Sequence, residues 1–163
     1  MQKSVILFPG QSAQYVGMGK KLCERYDIAN ETFKEANEVL GFDLQELCFK
    51  GSMEDLTKTE NTQPAVLVTS VAAFRAYMME IGVKPSIMVG HSLGEITALT
   101  CSGAISYKDA VKLSKLRGKY MQEAVEIGVG SMAAIVGMDK YLIEEFCNNM
   151  SNDEQIVYVA NYK

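Results

Sequence analysis

The sequence predicts an α/β fold, in which short buried strands alternate with helices around a parallel sheet. The continuous apolar run Val5 to Phe8 and the segment Ser86 to Val89 have the length of buried strands, and a glycine-containing turn closes each of them. Between them lies the longer apolar stretch Ala65 to Ile81, which exceeds the length of one strand and is predicted to be a buried helix. Buried strands separated by helices are typical of parallel sheets.

Further helices are predicted before and after the second strand. Asn30 is expected to cap a helix that continues to Leu40 and stops at Gly41. After the second strand, the turn Gly90 to Gly94 leads into a helix that runs towards Gly103. Strand, helix, strand, tight turn and helix then follow one another in the order that α/β folds use.

A second, smaller unit is predicted after a glycine-rich break near residue 128. It begins with an apolar strand over residues 132–136, continues with a helix over 139–150 and ends with a strand over 156–160. A strand, a helix and a strand with nothing after them form an incomplete layer. The sequence is therefore expected to be truncated inside this unit.

The composition is that of a soluble globular protein. The 163 residues are 48% hydrophobic and 22% charged, with a net charge of -4, and no run of like charges offers a basic surface to nucleic acid. The apolar runs are shorter than the roughly 20 residues that a bilayer requires, so no membrane segment is expected. A metal site is not expected either, because the four cysteines are scattered and only one histidine is present. We therefore expect a cytoplasmic protein with reduced thiols.

A candidate nucleophile lies in the segment Gly90-His91-Ser92-Leu93-Gly94, which fits the pattern G-x-S-x-G between a predicted strand and a predicted helix. Small residues on both sides of the serine allow a strained turn that lifts its hydroxyl into a cleft. The N–H of Leu93 and the dipole of the following helix would face the place where an oxyanion forms. Ser92 is therefore predicted to be the nucleophile of an acyl-transfer site. A glycine-rich turn with a capping serine is the alternative.

His91 is the only histidine, yet the geometry of such a turn argues against it as the general base. Neighbouring side chains on the turn diverge, so His91 is expected to point away from the hydroxyl of Ser92 and to have a structural role behind the turn. A base within hydrogen-bond reach of Ser92 must then come from elsewhere.

The segment Gly10 to Gln14 follows the first strand, at the edge where open α/β sheets bind their ligands. Its loop could supply a second oxyanion donor. A polar turn that merely leaves a strand is the alternative, and it would be favoured if this segment stood alone.

One arginine is a candidate binding residue because of its place on the predicted helix Tyr107 to Glu126. Arg117 lies on the apolar side of this helix, where an unpaired guanidinium would be costly. Either a buried internal carboxylate or a carboxylate of the substrate could pair with it, and the planar guanidinium suits two-point binding of a carboxylate. The apolar side is predicted to consist of Ala110, Leu113, Leu116, Tyr120 and Ala124.

Six segments in register point to one family. They are Phe8 to Gln14, Thr62 to Ala65, Gly90 to Glu95, Leu116 to Gly118, Gly130 to Ala134 and Ala160 to Tyr162. In order and spacing they resemble the F-P-G-Q-G-x-Q, T-Q-P-A, G-H-S-L-G-E, arginine, G-x-M-A-A and A-N-Y-N-S segments of the malonyl-CoA:acyl carrier protein transacylases and of the acyltransferase domains of fatty-acid and polyketide synthases. The resemblance covers the whole chain but only about the first half of a complete family member.

The resemblance implies a role for each matching residue. Ser92 would take the acyl group as an ester, and the backbone N–H groups of Gln11 and Leu93 would stabilise the oxyanion. Arg117 would hold the free carboxylate of a malonyl group, and Gln63 would line the same pocket. Malonyl-CoA is then the expected substrate, with no permanently bound cofactor and no metal.

Two departures from the family pattern affect these expectations. Ser12 stands where the family has glycine, a change expected to be tolerated in a variable loop. Lys163 stands where the family has asparagine, and the family's catalytic histidine belongs to the segment after it, as does the motif that helps to choose between malonyl and methylmalonyl groups. The missing C-terminal half is therefore an expected partner, together with an acyl carrier protein.

The resulting expectation is an α/β-hydrolase-like core over residues 1–126 and the truncated start of a small ferredoxin-like subdomain over 127–163. The expected reaction is the transfer of a malonyl group from coenzyme A to the phosphopantetheine thiol of an acyl carrier protein. An acyl hydrolase on the same scaffold and a non-catalytic fragment that needs its C-terminal half are the alternatives.

Overall fold

The computed structural model describes residues 4–124, 130 and 132–162. The chain divides into two compact units, Met1–Ile127 and Gly128–Lys163. Across the described ranges, no helix combines the length and the apolar content needed to cross a membrane.

The first unit contains two strands and seven helices within its described residues. In chain order these are β1 (Val5–Phe8), α1 (Lys20–Arg25), α2 (Asp27–Leu40), α3 (Leu44–Lys50), α4 (Met53–Thr57), α5 (Thr59–Glu80), β2 (Ile87–Gly90), α6 (Leu93–Ser102) and α7 (Tyr107–Glu123). The predicted alternation of strands and helices is confirmed. The short helices α1, α3 and α4 were not predicted, because each is too short to show a periodic apolar pattern.

The two strands pair in parallel, so the predicted parallel sheet is confirmed. Val5 lies beside Ile87 and Leu7 beside Val89, which places these four side chains on one face of the sheet. All four are exposed, Leu7 by 76%. The prediction that both strands are fully buried is therefore wrong for this face, since no described segment covers it.

Helix α5 forms the centre of the unit. Its side chains from Thr62 to Val68 are buried, and it packs against α2, α6 and α7. An apolar surface on every side is typical of a helix enclosed by other elements. The buried helix predicted over Ala65 to Ile81 is confirmed, and it begins earlier, at Thr59.

The predicted cap of α2 is wrong, although its end is confirmed. The helix begins at Asp27, so Asn30 lies inside it, and Gly41 ends it in the left-handed conformation with φ of 73°. The side chain of Asn30 donates to the carbonyl oxygen of Cys23 at 2.7 Å and accepts from Gln45 at 3.0 Å. Asn30 therefore links α2 to its neighbours instead of capping it.

The buried side of α7 also differs from the prediction. Leu113, Leu116 and Tyr120 are exposed, and the buried residues of the helix are Tyr107, Ala110, Val111, Ser114 and Gly118. A side chain at position 118 would come within 2.6 Å of the carbonyl oxygen of Thr59 on α5. Close approach of the two helices therefore selects small residues, and size outweighs hydrophobicity on this side. Position 126, the predicted end of the helix, lies outside the described residues.

In the second unit, helix α8 (Lys140–Met150) confirms the predicted helix, and the side chain of Asp139 accepts from the N–H of Tyr141 at its start. Residues 132–136 and 156–160 form no strand, so both strand predictions are wrong for this chain. A strand requires a hydrogen-bonded neighbour, and neither segment has one among the described residues. The ferredoxin-like character of this unit stays a prediction.

Candidate active site

Ser92 occupies a strained turn between β2 and α6. Its backbone has φ of 54° and ψ of -108°, a conformation that costs a residue with a side chain about 1–2 kcal/mol. Two backbone hydrogen bonds hold the turn, from Gly94 N to His91 O at 2.9 Å and from Glu95 N to Ser92 O at 3.1 Å. The side chain of Ser92 is exposed at this end of the sheet. The strained turn that the sequence predicted is confirmed.

The two glycines of the turn are required by contact distances. A Cβ atom at Gly90 would lie 1.9 Å from the carbonyl carbon of Gly94, and one at Gly94 would lie 2.2 Å from the carbonyl oxygen of Phe8. Both distances are far below van der Waals contact. The backbone can therefore turn this sharply only with glycine at both positions.

Ser92 belongs to a chain of hydrogen bonds that contains three other predicted site residues. Arg117 donates through Nη2 to Ser92 Oγ at 3.0 Å and through Nη1 to Gln63 Oε1. Gln63 is fully buried and donates through Nε2 to Gln11 Oε1 at 3.1 Å. Two helices, α5 and α7, thus meet the turn before α6 and the loop after β1, and segments that lie far apart in the sequence bring the predicted side chains together.

The partners of Arg117 are neutral. No carboxylate oxygen of a residue that the structure describes lies within 4 Å of its guanidinium, whereas Arg75 pairs with Glu35 at 2.8 Å. An internal carboxylate, one of the two partners that the sequence allowed, is therefore not found in the described ranges. The half-buried charge of Arg117 faces Ser92 with no counter-ion from the described residues, and this arrangement favours binding of an anion.

The two predicted oxyanion donors follow the ends of neighbouring strands. Phe8 and Gly90 are paired in the sheet, so Gln11 and Leu93, each three residues further on, lie at the same sheet edge. Leu93 is the first residue of α6, where the helix dipole adds to the attraction for negative charge. Neither N–H has a hydrogen-bond acceptor within the part of the chain that the structure describes.

His91 lies beside the loop that follows β1. Its side-chain Nδ1 is 3.0 Å from the position that a Cβ atom on Gly10 would occupy, and its backbone N–H donates to the carbonyl oxygen of Phe8 at 3.2 Å. Among the described residues, the hydroxyl of Ser92 has its side-chain hydrogen bond with Arg117 and none with His91. This geometry supports the prediction that His91 is not the base.

Ser12 adopts a conformation that glycine suits better. Its φ of 84° is in the left-handed region, which explains why a glycine is expected here in the pattern that the sequence resembles. The loop accommodates Ser12, as the sequence analysis expected, but only with backbone strain. The N–H of Ser12 donates to Gln14 Oε1 at 2.9 Å and stabilises the turn.

Ser12→Gly is expected to raise the free energy of unfolding by up to about 1 kcal/mol, because it removes this strain. The hydrogen bond to Gln14 is made by a backbone N–H and is kept. Ala13→Gly is the matched control, since Ala13 lies in the same loop without a positive φ and should give no gain. Urea unfolding measures both changes, and a less stable Ser12→Gly protein would contradict the assignment of strain.

One residue of this hydrogen-bond chain was missed by the sequence analysis. Thr59 accepts from Gln11 Nε2 at 3.5 Å. Thr59 and Gln63 are spaced i and i+4, so they lie on the same face of α5. This spacing is a signal that could have joined Thr59 to the site.

A family model for the acyl transferase domain matches residues 5–162. The chain belongs to the acyl transferase domain family. The predicted family is therefore confirmed. Among curated members, the malonyl CoA-acyl carrier protein transacylase of Escherichia coli (strain K12) is 46% identical over 162 residues, which are 99% of this chain and 52% of that protein. The transacylase of the same name from Bacillus subtilis (strain 168) is 45% identical over 161 residues, or 99% of this chain and 50% of that protein.

Solved structures of family members agree with the fold. The malonyl CoA-acyl carrier protein transacylase of Coxiella burnetii superposes with a TM-score of 0.87 at 46% identity, over 91% of this chain and 47% of that one. A type II PKS acyl-carrier protein in complex with its malonyl-transacylase gives a TM-score of 0.86 at 45% identity, over 91% of this chain and 48% of that one. The chain thus spans about half the length of the relatives that it matches.

Proposed function

We propose that the chain is part of an acyltransferase that moves a malonyl group from coenzyme A to the phosphopantetheine thiol of an acyl carrier protein. One observation carries the proposal: the guanidinium of Arg117, which has no counter-ion among the described residues, lies 3.0 Å from the hydroxyl of Ser92. In a malonyl thioester a single methylene separates the carboxylate from the reacting carbonyl. A cation this close to the nucleophile therefore suits a malonyl group.

The reaction has two half-reactions through an ester on Ser92. Ser92 Oγ attacks the thioester carbonyl of malonyl-CoA, and its proton passes to a base. The C–S bond then breaks, and the base returns the proton to the sulfur of the departing coenzyme A. The backbone N–H groups of Gln11 and Leu93 stabilise the oxyanion of the tetrahedral intermediate. The carrier thiol then gives its proton to the base and attacks the ester, and the C–O bond breaks as the base passes the proton to Ser92 Oγ.

In this scheme Arg117 exchanges partners during binding. Its Nη2 contact with Ser92 Oγ is replaced by a charge-assisted contact with the malonyl carboxylate, while Nη1 stays on Gln63. Gln63 thereby lines the pocket and holds the guanidinium in the orientation that the carboxylate needs. No cofactor takes part, because each step only passes an acyl group between sulfur and oxygen.

The rival functions are less well supported. An acyl hydrolase that removes uncharged acyl chains has no use for a guanidinium without a counter-ion beside its nucleophile. A non-catalytic fragment would not need the strained backbone of Ser92, which costs stability without helping a purely structural turn.

We infer that the catalytic base and further covering segments come from a C-terminal half outside this sequence. The exposed face of the sheet, formed by Val5, Leu7, Ile87 and Val89, supports this inference. Two open clefts flank the sheet, one of about 450 Å³ beside β2 and α6 and one of about 260 Å³ between β1 and α5. The matching relatives are also about twice as long as this chain.

We further propose a cytoplasmic location. The four cysteines are free, and free thiols are typical of a reducing compartment.

Burial raises the pKa of the Cys48 and Cys101 thiols to about 12, which keeps both protonated and removes them as rivals of Ser92 for the acyl group.

The function is tested by supplying the second half as a separate polypeptide. Residues 1–163 alone are expected to show little or no transfer of malonyl groups to a carrier protein, because the side chain of their only histidine lies beside Gly10 and makes no hydrogen bond with the hydroxyl of Ser92. Adding the C-terminal half of a family member should restore transfer, measured as malonyl mass on the carrier. Transfer by the 163-residue chain alone at roughly 1–1,000 per second would show that His91 or another group is the base.

A further inference from the structure

We propose that Thr59 and the amide side chains of Gln11 and Gln63 form a polarised chain of hydrogen bonds, set by Arg117, that holds the oxyanion donor in position. The proposal rests on the proposed function. It gives Gln11 a second role, through its side chain, beside that of its backbone N–H. It also makes Thr59 a positioning residue, although this residue is one link removed from the substrate.

The direction of the chain follows from the charge of Arg117. A guanidinium can only donate, so the atom of Gln63 that it contacts is the carbonyl oxygen Oε1. The NH₂ group of Gln63 then faces Gln11, whose Oε1 accepts at 3.1 Å. If the amide of Gln63 were flipped, donor would face donor at Arg117 and acceptor would face acceptor at Gln11. The cation therefore determines how both amides are oriented.

The hydrogen bonds leave α5 at Gln63 and return to the same helix at Thr59. Once Gln11 Oε1 faces Gln63, its Nε2 is left to donate to Thr59 Oγ1 at 3.5 Å. Gln63 and Thr59 lie one turn apart on α5, so the amide of Gln11 is held at both of its polar atoms by one helix face. Close contact of Gly118 with the backbone of Thr59 fixes this turn of α5 against α7, the helix that carries Arg117.

The loop that carries Gln11 needs such an anchor. Residues 9–16 form neither helix nor strand, and Ser12 in the middle of them is strained. Gln63 is fully buried and has no freedom to follow a moving loop. A donor displaced by about 1 Å can cost about 100-fold in rate. This chain of hydrogen bonds thus holds the N–H of Gln11 in place against the buried core. Because an oxyanion forms whichever acyl group is transferred, its loss should affect all acyl donors.

The test uses Gln11→Met, Gln63→Met and the double variant in the complete enzyme that contains this chain, with malonyl-CoA and acetyl-CoA as donors. Gln11→Met should lower kcat about tenfold for both donors and leave KM within about twofold, because no group that binds the acyl chain is lost. The double variant should be within about twofold of Gln63→Met alone, since one broken link already frees the loop. Gln45→Met, which removes an amide bonded to Asn30 outside the site, should match the wild type.

Losses that multiply in the double variant would overturn the proposal, and so would a wild-type kcat for Gln11→Met. If Gln63→Met fails to fold, Gln11→Met and Thr59→Val decide, and both must lower kcat for both donors without raising KM. Failure of the proposed function gives a different result, since the wild-type enzyme would then form no malonyl ester on Ser92.

Discussion

Ser92→Ala is expected to abolish malonyl transfer by the assembled enzyme, with a fall in kcat on the order of 10⁶-fold. In the wild type, malonyl-CoA alone should add one malonyl mass to the peptide that contains Ser92, because the ester forms before any carrier arrives. A methyl group at position 92 cannot form an ester and leaves the turn otherwise unchanged. Peptide mass spectrometry after incubation with malonyl-CoA measures the difference.

Ser102→Ala is the matched control for this experiment. Its hydroxyl donates to the carbonyl oxygen of Leu99 in its own helix at 2.9 Å and should play no part in transfer, so labelling should equal that of the wild type. A malonyl mass that persists in Ser92→Ala, or that maps to a cysteine, would contradict the assignment of the nucleophile.

Arg117→Ala is expected to damage malonyl transfer selectively. Loss of one partner of a desolvated charge pair costs on the order of 2–5 kcal/mol, or about 30-fold to several thousand-fold in kcat/KM. Acetyl-CoA has no carboxylate to lose, so its transfer should fall by no more than about tenfold, through the freed contact with Gln63. The ratio of kcat/KM for the two donors measures the effect.

The control for Arg117 is Lys119→Ala, two positions along the same helix. Lys119 is more than half exposed and pairs with Glu123 at 3.6 Å, so its removal changes the net charge equally without touching the site. Both donors should react with this variant as with the wild type. If Arg117→Ala instead lowers the two donors equally, Arg117 serves the structure and does not bind the malonyl carboxylate.

Local features of the fold and site could be predicted from the sequence. The turn at Ser92 follows from two glycines between an apolar strand and a helix, and the end of α2 follows from Gly41, because single residues dictate the backbone there. The buried character of α5 follows from its composition. For Arg117 and for the loop of Gln11 the residues alone left two alternatives open, and the family resemblance selected one of them. The role of Gln63 came only from the resemblance, and all three roles remain proposals.

What the sequence could not reveal depends on how distant segments pack. Gln63 and Arg117 are 54 residues apart and meet because α5 and α7 pack closely, a fact that no local pattern contains. The same packing shifted the buried side of α7 from the predicted Leu113 and Leu116 towards Ser114 and Gly118, since the contact with α5 requires small residues. The two predicted strands of the second unit failed for a related reason, because a strand depends on a neighbour and not on its own sequence alone.

The absence of a side chain at Gly118 also bears on how the acyl preference of the proposed transferase could be redesigned. The backbone of α7 packs closely against α5 at the position next to Arg117, and this contact opposes rotation or sliding of the helix when residue 117 is exchanged. A new side chain at 117 should then start from nearly the same Cα position. Selectivity could be altered by the length and charge of this one side chain, with little change in the helix that carries it.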